Sequence, residues 1–277
     1  METPAPLTIQ KISLDVIYIA IADQVRTETQ KQAKPIHVET LGVLFPDMKP
    51  EDIIAHLGAM IKVERYQDIK VQISASNAAY LYSENFISSA DASEKIIAEE
   101  TLTQIAARVR QDSEKRIKLT PLNALGEMFP DLELERVKRY SLAITEDNQY
   151  PDIRQVLGPT GLVYLYSASH MTETYARLLA RVEANNPTAL IVETVREESY
   201  VYPRPTKVAL FYAPVFQLHD CPMEAIVQSV LARPEYSDIK KIDAPTGAVY
   251  LYSDWYMNPS FAERYVRWEE VEKANSQ

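Results

Sequence analysis

This 277-residue chain has one cysteine, Cys221, six glycines and four histidines. A single cysteine excludes an intrachain disulfide frame. Six glycines leave little room for a phosphate-cradling loop, and no G-x-x-x-x-G-K, HExxH or G-x-S-x-G stands in the sequence. His37, His56, His170 and His219 fall at unrelated positions without metal-ligand spacing. No catalytic residue, cofactor or metal is therefore assigned, and a non-enzymatic protein is expected. No apolar run reaches the length of a membrane span. Met1 to Gln10 hold one acid and two prolines and lack the basic start and apolar core of a signal peptide, so a cytoplasmic location is expected. Nor is there a run of Lys and Arg. The net charge of -10 repels phosphate backbones and counts against nucleic acid as a partner.

What is present is a repeat. The segment Tyr150-Pro-Asp-Ile-Arg to Tyr164-Leu-Tyr-Ser167 recurs as Tyr66 to Ser83 and as Tyr236 to Ser253. In each copy the first tyrosine lies 14 residues before the Tyr of YLYS, and a hexapeptide ending in Arg26, Arg110 or Arg196 begins 45 residues before that first tyrosine. Three equal long spacings imply a unit of about 85 residues, too long for the usual solenoid periods and right for a small domain. The boundaries expected are 1–88, 89–172 and 173–277.

Within each unit the periodicity predicts a first helix with Ile17, Ile21 and Val25, or Leu102, Ile105 and Val109, turned inward. A second short helix ends at Leu44-Phe45-Pro46-Asp47 or Met128-Phe129-Pro130-Asp131. The third copy departs there, with Ala213-Pro214-Val215-Phe216. A third helix follows, with Ile53, Leu57 and Met60, then Val137, Leu142 and Ile144, then Met223, Val227 and Val230 inward. The tyrosine segment supplies a hairpin, turned at Gly158-Pro159-Thr160-Gly161 and Ala244-Pro245-Thr246-Gly247, and in the first copy at Ala75-Ser76-Asn77. Ser88, Thr172 and Asn258 are N-cap residues for a closing helix. Ser89 to Ser113 contains neither Gly nor Pro and predicts one continuous helix between units one and two. Asn185-Asn186-Pro187 predicts a break and a hinge between units two and three, with Asn186 as the cap and Pro187 as the first residue of the helix that follows.

The order helix, helix, helix, strand, turn, strand, helix resembles the winged-helix fold. The fold class expected is thus α+β and mostly helical: three tandem winged-helix-like repeats, each a three-helix bundle with a two-stranded hairpin and a closing helix. That resemblance implies a third helix able to read nucleic acid. The three third-helix segments, however, hold seven basic against ten acidic residues. Arg136, Lys138 and Arg139 are the local exception and the candidate nucleic-acid contacts.

In an extended YLYS both tyrosines face one way and Leu and Ser the other. Leu81, Leu165 and Leu251 are expected in the core. Tyr80, Tyr82, Tyr164, Tyr166, Tyr250 and Tyr252 then lie either under the fourth helix, beneath side chains such as Tyr175, Leu178, Phe261 and Tyr265, or on an open aromatic docking surface. Asp68, Asp152 and Asp238 recur at the start of the hairpin and are read as turn or capping residues. Cys221 is read as incidental. The leading expectation is a protein-interaction or scaffold protein with a protein partner. A nucleic-acid-binding regulator is the alternative, and a ligand site near Asn185 to Pro187 a third.

Overall fold

A computed structural model describes residues 14–272 apart from 44, 47 and 49. Met1 to Gln10, Leu44 and Asp47, on which expectations above fall, lie outside the described residues. Helix and sheet are mixed, and the chain divides into two compact units, 1–104 and 105–277. The first holds one repeat and the second two.

The first repeat runs α1 (Leu14–Gln32), β1 (Ile36–His37), a 3-10 helix (Val38–Val43), α2 (Pro50–Met60), β2 (Ile69–Ile73) and β3 (Ala79–Ser83), closed by α3 (Ser89–Lys115). The last part of α3 also opens the second repeat, which continues with β4 (Thr120–Pro121), a 3-10 helix (Leu122–Met128), α4 (Leu134–Ala143), β5 (Ile153–Leu157), β6 (Val163–Ser167) and α5 (Glu173–Glu183). The third has α6 (Pro187–Val201), β7 (Thr206–Lys207), a 3-10 helix (Val208–Tyr212), α7 (Met223–Ala232), β8 (Ile239–Asp243), β9 (Val249–Ser253) and α8 (Pro259–Arg267).

The expected caps form. Ser88 Oγ accepts the Asp91 N–H at 3.1 Å, Thr172 that of Tyr175 at 3.3 Å, Asn186 that of Ala189 at 3.1 Å and Asn258 that of Ser260 at 2.9 Å. The unbroken helix is α3, 27 residues long. The break at the other junction comes from Asn185 in the left-handed region (φ 48°), followed by the Asn186 cap and Pro187. It is a packed corner rather than an open hinge. Leu178 and Val182 of α5 lie against the core of the third repeat, and Arg181 pairs with Glu197 of α6 at 2.6 Å with both side chains largely buried.

Two further expectations are corrected. Each sheet has three strands, because a two-residue strand pairs with the outer side of the YLYS strand: Ile36 opposite Leu81, Thr120 opposite Leu165, Thr206 opposite Leu251. The YLYS strand is therefore central. The expected second short helix is a 3-10 helix and seats one fully buried residue per repeat, Leu41, Leu125 or Phe211. In α4 the inward residue is Ser141, fully buried with its hydroxyl on the Val137 carbonyl at 2.8 Å, while Leu142 is exposed. At the hairpin tips Asn77 (φ 66°) does in the first copy what Gly161 (φ 80°) and Gly247 (φ 84°) do in the others.

Candidate functional site: a groove beside a repeated ionic lock

The repeated aspartates are not turn caps. Arg26 Nε and Nη2 donate to Asp68 Oδ2 and Oδ1 at 2.9 and 2.6 Å. Arg110 grips Asp152 at 2.9 and 2.6 Å, and Arg196 grips Asp238 at 3.0 and 2.7 Å. The last residue of YLYS completes each lock: Ser83, Ser167 and Ser253 donate to the same carboxylates at 2.7, 2.8 and 2.7 Å. The first helix, the start of the hairpin and the end of its central strand are thus joined by charge-assisted bonds. The Arg110 hydrogen bonds hold Asp152 down at about 2, and Arg26 lowers Asp68 in the same way. For Asp238 burial opposes ionisation, but the bonds from Arg196 and Ser253 prevail and its pKa is also lowered. These carboxylates are structural, one per repeat.

The six YLYS tyrosines are all buried, which corrects the open docking surface. A central strand has both faces to cover. Leu81 and Leu251 enter the main cores and Leu165 is fully buried, while Tyr82, Tyr164, Tyr166, Tyr250 and Tyr252 meet the closing segment and Tyr80 packs edge-on to His37. The covering residues are smaller than expected: Ile87 with Ala92 on Tyr82, Met171 with Ala176 and Ala180 on the second pair, Met257 with Ala262 on Tyr252 and Val266 on Tyr250. Small side chains let the helix approach the rings. Of the coverings foreseen, Tyr175 packs there, whereas Leu178 serves the third repeat and Phe261 is exposed.

At two hairpin tips a carboxylate closes the turn. Glu100 accepts from Ser74 at 2.5 Å and from Ser76. Glu270, in the π-helical turn Trp268–Glu272, accepts from Lys207 at 2.7 Å, from Thr246 at 2.6 Å and from Tyr250. The Lys207 bond, with those of Thr246 and Tyr250, brings Glu270 to about 2. The same position in the second repeat is Ala184.

The second unit carries a groove between β5 and the α5–α6 corner. Its larger part, about 740 Å³, is bounded by Gln155 to Pro159, Arg177 and Arg181 of α5, and Ala189 and Glu193 of α6. A smaller part of about 260 Å³ shares Arg177, Arg181 and Glu193 and reaches Tyr200 and Tyr256. Ala189, Glu193, Glu197 and Tyr200 follow one face of α6, so the groove is roughly 17 Å long at 1.5 Å per residue. Arg177 pairs with Glu173 and Arg196 with Glu193 at 3.1 Å, so the walls are charged but balanced. The far end is aromatic: Tyr200 and Tyr256 form a tilted pair with ring centroids 5.2 Å apart, and Trp255 lies over the Arg196 guanidinium at 4.6 Å. Tyr200 is 70% exposed and Trp255 62% exposed. The positions of Trp255 and Tyr256 are held by Asn85 and Phe86 in the first repeat and by Ser169 and His170 in the second, so the cluster is particular to the third. Sequence reading passed over these residues because they depart from the repeat; their clustering was the available signal.

The candidate nucleic-acid residues are engaged on α4 itself. Lys138 pairs with Glu135 at 2.7 Å, Arg136 donates to the Tyr140 hydroxyl at 2.8 Å, and Arg139 lies 5.9 Å from the Tyr140 ring. Cys221 is half-buried against the core of the third repeat. Among the described residues no helix is long and apolar enough to cross a membrane, and no three His, Cys, Asp or Glu converge as metal ligands.

Three adjoining segments, 15–101, 99–186 and 184–274, each match the YdhW C-terminal domain. The chain belongs to that family. The small overlaps fall in α3 and at the α5–α6 corner, where one YdhW C-terminal domain passes into the next. The uncharacterized protein YdhW of Escherichia coli (strain K12) is 31% identical over 131 residues, which cover 47% of this chain and 60% of that protein. The chain thus spans under two thirds of that relative's length.

Proposed function

We propose that this chain of three YdhW C-terminal domains is a non-enzymatic interaction or scaffold protein that takes a protein partner along the α5–α6 groove. The carrying observation is the exposed Tyr200, Trp255 and Tyr256 cluster at the groove's end. Exposed aromatics with a polar tip, beside a concave surface, are what interface centres use, and leaving them in water is otherwise unfavourable. Capture from native lysate with the full chain, and with a Tyr200→Ala, Tyr256→Ala double variant, tests this. Loss of a stoichiometric partner in the variant with unchanged thermal stability is expected. Turnover of a metabolite by the purified chain, with no partner recovered, overturns it.

A second reading is a nucleic-acid-binding regulator. The strand order, with the short first strand beside the last of the hairpin, agrees with a winged-helix frame, and α4 carries Arg136, Lys138 and Arg139. The overall acidity and the local engagement of those cations weigh against it. Titration of a labelled duplex decides: binding that falls steeply with salt favours it, and none at low salt removes it.

A further inference from the structure

The partner's conformation follows from the β5 backbone. Gly158 donates to the Leu162 carbonyl at one end of the β5–β6 ladder and Ala168 to the Asp152 carbonyl at the other, at 2.8 and 2.7 Å. Residues bonded across an antiparallel pair alternate, so Arg154 and Val156 face β6 with their N–H and C=O groups. Those of Gln155 and Leu157 point outward. β5 is an edge strand, and both residues border the groove. Leu157 is exposed beside half-buried Val163.

We propose that this edge receives an extended, proline-free segment of the partner as an added strand, with a large apolar side chain seated against Leu157. The inference rests on the groove being the partner site. Two outward donors and two outward acceptors, on residues two apart in the chain, complement an extended backbone, and the apolar neighbours select the cross-strand residue. The other two edges are handled differently. In β8 the equivalent residues, Lys241 and Asp243, form an ion pair at 2.8 Å, and charge on an edge discourages pairing. In β2 they are Val71 and Ile73, and the closing helix of that repeat, α3, runs on without a break. At the second repeat's edge the Asn185 break folds α6 back beside α5 and supplies the groove's second wall.

The probe is a linear twelve-residue peptide library displayed on phage and selected on the full chain, followed by synthesis of a recovered peptide. Gln155→Pro removes an outward donor and no bond to β6, so folding should persist. Expected are slowed amide exchange at Gln155 and Leu157 on binding and about a tenfold loss of affinity in Gln155→Pro, as for one lost hydrogen bond. N-methylation of alternate peptide amides should abolish binding, whereas methylation of the intervening ones should not, a readout independent of the variant's folding. Peptides that bind as helices, or that ignore Gln155→Pro and N-methylation but are lost with Tyr200→Ala, overturn strand addition and leave the groove standing. Recovery of no groove-binding peptide overturns both.

Discussion

Asp238→Ala tests whether the repeated lock holds each domain together. The Asp238 side chain is fully buried, Arg196 is largely buried, and Ser253 is buried behind them. Removing the carboxylate leaves the guanidinium with Glu193, a long bond to the Glu235 carbonyl and the Trp255 ring, and orphans the Ser253 hydroxyl, since the lock gave each its best partner. Breaking a buried ion pair from one side costs about 3–5 kcal/mol. In a unit of this size that lowers Tm by roughly 10 °C. The assay is built in: both tryptophans, Trp255 and Trp268, lie in the third repeat, and Trp255 stacks on the lock's arginine. Urea or thermal unfolding followed by tryptophan fluorescence therefore reports this repeat directly. Asp68→Ala should cost less, about 1–3 kcal/mol, because Asp68 and Arg26 keep more water. The pH dependence has a definite sign. The folded pKa of Asp238 is depressed, so its contribution is fully present above the unfolded carboxylate value of about 3.9 and is lost as pH falls below it. The gap between native and variant should be constant from pH 7 to 5 and narrow under pH 4. A gap below about 1 kcal/mol at pH 7, or one that widens on acidification, refutes the reasoning.

Glycine substitutions should move in opposite directions. Gly58→Ala, in an exposed turn of α2 with open space around it, should stabilise by about 0.5–1 kcal/mol, and Gly247→Ala, at φ 84°, should destabilise by about 1 kcal/mol, both read from urea midpoints. Glu270→Gln should lower Tm by up to about 3 °C at pH 7, and because the carboxylate is held near 2 the deficit should fade between about pH 4 and 2. Tyr200→Ala should leave the unfolding free energy from urea titration within about 0.5 kcal/mol of native, since the ring is mostly in water.

Much of the frame was legible because it rests on local rules. Ser88, Thr172, Asn186 and Asn258 cap helices wherever they precede an apolar stripe, and α3 is continuous because nothing in it breaks a helix. The hairpin tips needed residues that tolerate positive φ, and Asn77, Gly161 and Gly247 supply them. Residues that act at a distance were not legible in the same way. Arg26 and Asp68 stand 42 residues apart, and their recurrence was visible while their bond was not. Ser141 reads as a surface residue beside Leu142, yet it is the serine that is buried, because a hydroxyl satisfied by the preceding turn fits where a larger side chain does in the sister repeats.

The sequence alone thus determined three copies of one mixed helix-and-sheet unit, their helix ends and their turns, all set by neighbours within a few residues. Tertiary structure decided which face of the central strand met which helix, and so buried the six tyrosines. It also folded α6 against α5 to leave a groove beside an unpaired strand edge. Burial and open edges depend on what the rest of the chain brings alongside, and a linear pattern records no such neighbour.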